Sequence, residues 1–340
     1  MMERTDRHFR YFLRLIAPRT LLYTEMVTAA AVTHGDADRL LCFDAAEHPV
    51  ALQLGGSEPA QLQAAARAGA ERGYDEINLN IGCPSARVQS GRFGVCLMRE
   101  PALVAECVSA MRAAVRVPVT VKTRIGVDDQ DDFDFLAQFV ATVAAAGCQT
   151  FVVHARKAWL HGLSPKDNRT LPPLHYERVA ELKRSFPALE IIVNGGISTP
   201  VQVQAQLERV DGVMIGREAY RNPWLMSRLD DLVYGALEDE RSRAQVVEVY
   251  ASYAARELGR GVRLHHLTRH LLGLYHGEPG AAQWRRELTT MGIAAERRSE
   301  DAQALAAVLA RAIAAMATPQ GAFGGGGGRR PKSVPVAAAM

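Results

Sequence analysis

Glu76-Ile77-Asn78-Leu79-Asn80-Ile81-Gly82-Cys83-Pro84 is the stretch on which the fold turns. A short apolar run, Ile77–Asn80, passes directly into a glycine–cysteine–proline turn, as a buried strand does when it delivers a side chain to a fixed loop. Six similar runs lie around it: Leu21–Met26, Val50–Leu54, Val119–Lys122, Thr150–His154, Ile191–Asn194 and Gly212–Ile215. Amphipathic or alanine-rich segments separate them, among them Pro59–Arg72, Ala102–Val115, Phe133–Ala146, His175–Phe186 and Val201–Leu207. Apolar strands alternating with helices form parallel βαβ units with both sheet faces covered. A mean spacing of about 32 residues suits a (β/α)8 TIM-type barrel of roughly 250 residues.

Seven runs leave such a barrel one strand short. Residues before Leu21 offer only Phe9–Ala17, which reads as a helix, and the chain after Gly216 turns helical. The expected fold is therefore an α/β (β/α)8 barrel lacking its first strand, followed by an all-α helical bundle domain. The expected boundaries are 1–235 for the barrel, 236–317 for the helical domain and 318–340 for a disordered, Gly-rich basic tail. Helices are expected at Ser242–Leu258, Leu264–Tyr275, Ala281–Thr290 and Ala302–Ala317. Arg256–Arg286 holds six arginines, two acids and His265, His266, His270 and His276. Such a face is either merely solvated or a phosphate-contacting surface.

Composition narrows the class. The 340 residues carry a formal charge of +3, so affinity for nucleic acid has to come from a local patch. No apolar run approaches the roughly 18–20 residues that span a bilayer. The N-terminus, Met1-Met2-Glu3-Arg4-Thr5-Asp6-Arg7, has no apolar signal core. Cys42, Cys83, Cys96, Cys107 and Cys148 show no CxxC spacing, which gives no support to a metal site or disulfide framework. A cytoplasmic setting is expected, with no membrane, metal or obligate protein partner.

In this fold the strand C-termini face the active site. There the chain places Gln53, Asn80 and the Cys83 turn, Lys122-Thr123-Arg124, His154, Asn194-Gly195-Gly196 and Gly216-Arg217. The last two motifs sit where barrels commonly hold a phosphate on backbone N–H groups. Arg217 would add a charge-assisted contact. Lys122 is either a cation that neutralises developing negative charge or a Schiff-base lysine. His154 reads as a cofactor contact, an acid/base or a hydrogen-bonded structural group. Cys83 reads as an acid or a nucleophile, because an ordinary thiol is mostly protonated at neutral pH yet still reactive.

Together these motifs resemble the tRNA-dihydrouridine synthases, in their A-type bacterial branch. Further residues carry the match: Thr5-Asp6-Arg7-His8-Phe9-Arg10, Leu22-Tyr23-Thr24-Glu25-Met26-Val27, Leu52-Gln53-Leu54-Gly55-Gly56, His154-Ala155-Arg156-Lys157-Ala158-Trp159-Leu160 and Gly212–Tyr220. The resemblance covers about residues 1–290 and implies an FMN-binding barrel followed by a helical tRNA-binding domain. It implies NADPH as reductant, FMN as cofactor and tRNA D-loop uridines 20 and 20a as substrate. By motif matching it implies Cys83 as the acid for C5. Gln53, Lys122, His154, Asn194, Gly195, Gly196, Gly216 and Arg217 would hold FMN. Asn80 would contact the target nucleotide, and Lys166, Arg169 and Arg285 the tRNA. Two departures stand out. The family's first strand ends in Ala-Pro-Met, and Met1 matches that methionine. The preferred expectation is a natural product that starts further upstream; otherwise the barrel lacks that strand and FMN affinity suffers. Ala282 stands where the branch commonly has a second arginine. Two other readings remain open at this point: an FMN barrel acting on a free pyrimidine, and a non-catalytic tRNA-binding protein.

Overall fold

The computed structural model describes residues 1–296, Leu309 and 336–338. Its strands are β1 (Leu21–Tyr23), β2 (Val27–Thr28), β3 (Val50–Gly55), β4 (Glu76–Asn80), β5 (Val119–Arg124), β6 (Thr150–His154), β7 (Glu190–Asn194), β8 (Gly212–Met214) and β9 (Val336–Ala338). From β3 to β8 each strand pairs in parallel with the next. Both β1 and β2 pair with β3, while β9 lies between β8 and β1 and closes the sheet into a barrel.

Two expectations change here. The position beside Leu21 that the sequence left open is taken by β9, from the segment read as a disordered tail. Of the run Leu21–Met26 only Leu21–Tyr23 is strand, and a second short strand, Val27–Thr28, begins just beyond it. Thr24 causes the break, since its Oγ1 accepts the Gln53 N–H at 2.9 Å in place of a ladder carbonyl.

Helices cover the outside. Pro59–Glu71 begins on Pro59 and buries Leu62, Ala65, Ala66 and Gly69 at helical spacing. A Cβ at Gly69 would lie 2.6 Å from Leu52 Cδ2, so the missing side chain lets this helix approach β3 closely. The expected helix over Phe9–Ala17 is Arg7–Ile16, capped by Asp6, whose carboxylate accepts from the His8 and Phe9 amides. It is buried on nearly every side. Arg10 pairs with the fully buried Glu47 at 2.6 Å, and Arg14 reaches the carbonyls of Ala17, Glu47 and Pro49. Tyr11 stacks on Tyr253 at 3.8 Å, and Asp6 meets Arg269 and His270. Both latter contacts reach into the C-terminal helical region.

That region contains Arg243–Gly259, Leu264–Thr268 and Ala281–Glu296. The single helix expected over Leu264–Tyr275 is a short helix continued by a 3-10 segment, Arg269–Gly273. At its end Gly273 passes close to Arg221, where a Cβ would lie 2.7 Å from a carbonyl oxygen. The helix expected at Ala302–Ala317 and most of the tail fall outside the described residues.

Alternation in the parallel strands divides the core in two. One large apolar layer fills the space between sheet and helices. A second, smaller cluster of Tyr23, Ala51, Val152, Ile192 and Met214 fills the barrel itself. Among these apolar side chains sits Glu76, whose Oε1 accepts from Tyr23 at 2.7 Å and from Thr120 at 2.5 Å. Burial pushes this carboxyl up from 4.5 to about 7, against the opposing pull of the two hydroxyls.

A raised carboxyl favours the fold while protonated. Its contribution is complete below the unfolded pKa of 4.5 and is lost as pH rises through about 7. The unfolding free energy should fall by roughly 3 kcal/mol across that window from this group alone. Urea titrations from pH 4.5 to 8 should show a shallower decline for Glu76→Gln than for the wild type. Equal slopes would disprove the assignment.

Candidate active site

The inward-facing residues at the strand C-termini converge on one cavity of about 570 Å³. Gln53 comes from β3, Asn80 from β4, Lys122 and Arg124 from β5, His154 from β6 and Asn194 from β7. The turns that follow add Gly82, Cys83, Gly195, Gly196, Gly216 and Arg217, and the long loop after β6 adds Arg169. Of the residues singled out in the sequence, only Lys166 and Arg285 are not in this wall. Lys166 is exposed on the same loop as Arg169. Arg285 lines an adjoining cavity of about 1780 Å³ that also touches Cys83, Arg169 and Arg217.

The Cys83 turn is held from two sides. Asn80 Oδ1 accepts from the amides of Gly82 and Cys83, each at 3.0 Å. This side chain does locally what a backbone turn would do. The second hold is Arg124, which the sequence places at this strand end without a role of its own. It is buried, and Nε donates to Gly82 O at 2.8 Å while Nη1 donates to Lys157 O and Asn168 O. One guanidinium thus ties the Cys83 turn to two points, Lys157 and Asn168, of the loop that carries Lys166 and Arg169. Its partners are carbonyls rather than a carboxylate, so its charge remains in the site; burial lowers its pKa to about 10. The signal for it was present in Lys122-Thr123-Arg124, because residues 122 and 124 share one strand face.

Asn168 completes this loop. It is fully buried, accepts the Trp159 amide and donates to the Trp159 carbonyl at 2.8 Å. Arg217 donates to Arg169 O at 2.9 Å, linking the turn after β8 to the same loop.

The electrostatics favour an anion. Lys122, Arg124, Arg169, Arg217 and Arg221 line the cavity, against Glu218 as the sole carboxylate among its described lining residues. Burial lowers the Lys122 ammonium to about 8, and Arg124 repels it further; Asn194 Oδ1 accepts from it at 3.3 Å. His154 is held well below its ordinary pKa, first by burial and then by Arg124, Lys122 and Arg156. At neutral pH it is an uncharged ring.

These residues fit a flavin mononucleotide. His154 Nδ1 is buried without a hydrogen-bond partner, an atom that a ligand group would satisfy. Gly195 has φ +118°, and a Cβ there would sit 3.1 Å from His154 Nε2, so only glycine brings the backbone this close. Gly196, with φ +72°, is equally confined against Leu174. Neutral ring, bare backbone and unneutralised cations together suit a planar polar ring system bearing a phosphate.

The adjoining cavity is lined by Arg263, His266, Arg269, His276 and Arg285, among others. It extends the cationic surface from the barrel mouth onto the C-terminal helices. Among the described residues no helix is long and apolar enough to cross a membrane.

Comparison with known proteins gives a consistent picture. A family model described as "Dihydrouridine synthase" matches residues 1–312. The tRNA-dihydrouridine(20/20a) synthase of Vibrio cholerae is 57% identical over 290 residues, 85% of this chain and 88% of its own length. That of Shewanella oneidensis is 56% identical over 289 residues, 85% of this chain and 86% of its own. A third, from Synechocystis, is 57% identical over 289 residues with the same two shares.

Replacing Arg124 by Met should leave the barrel folded but release its loops. Amide hydrogen exchange in residues 81–85 and 157–169 should accelerate at least several-fold, with the strands unchanged. Unaltered exchange in both segments would show that Arg124 does not hold them.

Proposed function

This chain belongs to the dihydrouridine synthase family, and from that premise we propose that it reduces the C5=C6 bond of D-loop uridines 20 and 20a in tRNA. FMN is the cofactor and NADPH the reductant. The observation that carries the reading is the single cavity in which Cys83, Lys122, His154 and the two glycine-rich turns meet, opening beside an arginine-lined surface. A site for a free pyrimidine would need the first feature but not the second.

Gln53, Lys122, His154, Asn194, Gly195, Gly196, Gly216 and Arg217 would bind FMN. Lys122 and Asn194 suit its ring, and Arg217 with the glycine amides suits its phosphate. When bound and reduced by NADPH, FMN supplies the hydride that uracil C6 accepts. The chain's own residues do the rest. Cys83 holds a proton on Sγ and gives it to C5, which completes a two-electron, two-proton reduction. Its turn is fixed by Asn80 and Arg124, so the thiol is positioned before substrate arrives. Lys122 offsets negative charge that develops in the pocket. Asn80 has one amide N–H left for the nucleotide.

A stacked uridine cannot reach this depth, so the base has to leave its loop, at a cost of a few kcal/mol. Contacts to tRNA phosphate from Lys166, Arg169, Arg285 and the helical domain 236–317 would offset it. The natural setting of such a reaction is the cytoplasm, where tRNA is.

Mapping dihydrouridine in tRNA from a deletion strain complemented with this chain tests the whole reading; absence of dihydrouridine at positions 20 and 20a would refute it. Cys83→Ala should keep flavin and tRNA binding while turnover falls by about 10²-fold or more. Turnover at the wild-type rate would remove the thiol from the mechanism. FMN affinity should weaken as pH rises through about 8, because Lys122 is charged below that value and neutral above it. Fluorescence titrations of Lys122→Met should show a weaker affinity with that step missing.

A further inference from the structure

Four buried or half-buried hydrogen bonds run in one direction through the barrel interior, and a fifth meets them at their end. Asn80 Nδ2 donates to Gln53 Oε1 at 2.8 Å, and Gln53 Nε2 donates to Asn78 Oδ1 at 2.9 Å. Asn78 Nδ2 donates to Thr120 Oγ1 at 2.8 Å, and Thr120 Oγ1 donates to Glu76 Oε1 at 2.5 Å. Tyr23 donates to the same Glu76 oxygen at 2.7 Å. Gln53 and Asn80 line the cavity, whereas Asn78, Thr120 and Glu76 do not.

The oxygen and nitrogen of a side-chain amide are nearly equal in size, so packing alone does not tell Gln53 or Asn78 which way to face. A group at the end of the chain that accepts two hydroxyl protons does. With its proton committed to Glu76, Thr120 has only lone pairs to offer Asn78. Asn78 therefore turns its nitrogen to Thr120 and its oxygen to Gln53. Gln53 then turns its oxygen to Asn80, and Asn80 is left with its own oxygen for the amides of Gly82 and Cys83. Flipping any one amide would set donor against donor on one side of it and acceptor against acceptor on the other, and for Asn80 the first clash falls on the Gly82 and Cys83 amides. Bonds aligned in this way also polarise one another.

We propose that Glu76, acting through Thr120 and Asn78, is a positioning residue that sets how the Gln53 amide faces the cavity and, through Asn80, holds the turn carrying Cys83. The proposal rests on the FMN reading above in one respect: the flavin is the probe that reports the Gln53 amide. Glu76 touches no reactant. Its effect is orientation, transmitted over three side chains from the barrel interior to the mouth.

The test compares variants that keep or remove a link. Thr120→Val preserves volume but deletes the hydroxyl, and Glu76→Met deletes the terminal acceptor. Each should raise the FMN dissociation constant about tenfold, the loss of one oriented hydrogen bond. Each should also shift the absorption spectrum of the bound flavin and lower kcat while KM for tRNA stays within about twofold, because the phosphate-contacting residues Lys166, Arg169 and Arg285 are untouched. Thr120→Ser and Glu76→Gln, which retain the hydroxyl and the acceptor, should recover the wild-type spectrum. If Glu76→Met does not fold, the Thr120 pair decides by itself. Wild-type affinity, spectrum and kcat in Thr120→Val would overturn the proposal. A lowered melting temperature with an unchanged flavin spectrum would do the same, since it would mean that Thr120 only stabilises. Failure of the wild-type protein to take up FMN would instead defeat the function proposed above.

Discussion

Ile77, Leu79 and Ile81 turn outward into the layer between sheet and helices, and this leaves Glu76, Asn78 and Asn80 no direction but inward. The period of two along a pleated strand imposes that choice, and the rest of the site depends on it. Three polar groups in a row inside a small barrel need partners, since an unpaired buried polar group costs about 1–3 kcal/mol. Gln53 and Thr120 provide them from the two strands paired with β4, and Tyr23 from β1, which pairs with β3 on its far side. The polar line in the barrel is thus a consequence of strand alternation and parallel registry, before any chemistry is considered.

The same alternation explains why the cations accumulate at one end. Lys122 and Arg124 share a face of β5, and His154 and Asn194 stand at the ends of the next two strands. Parallel strands end together, so their final inward residues meet at a single mouth. Five cations facing one carboxylate and a neutral imidazole in so small a space repel one another. The lowered pKa values of Lys122 and His154 register that repulsion together with burial. An anionic ligand relieves it, which is why affinity for the cofactor and stability of the mouth are one physical question.

Much of this was legible in the residues. Seven of the strands, the glycine turns, Cys83, Lys122 and His154 are local signals: short apolar runs and special residues at their ends. Three things were not. The break after Tyr23 comes from the Thr24 hydroxyl accepting an amide from another strand, and propensity contains no such term. The strand Val336–Ala338 pairs with residues more than a hundred positions away, and a run of small apolar residues after glycines looks like a tail. Arg124 stands at a strand end facing the site, but its role as a clasp emerges only when the carbonyls of Gly82, Lys157 and Asn168 are brought around it.

What the sequence by itself determined is the pattern: which side chains alternate, where strands stop, and which reactive groups stand at their ends. Those are properties of neighbours along the chain. Only the tertiary structure decided that Asn80 spends its oxygen on the Cys83 turn, that Arg124 is a clasp, and that Glu76 terminates a chain of oriented amides. Hydrogen bonds between strands depend on registry, and registry is set by packing over the whole sheet rather than by any residue's own preference.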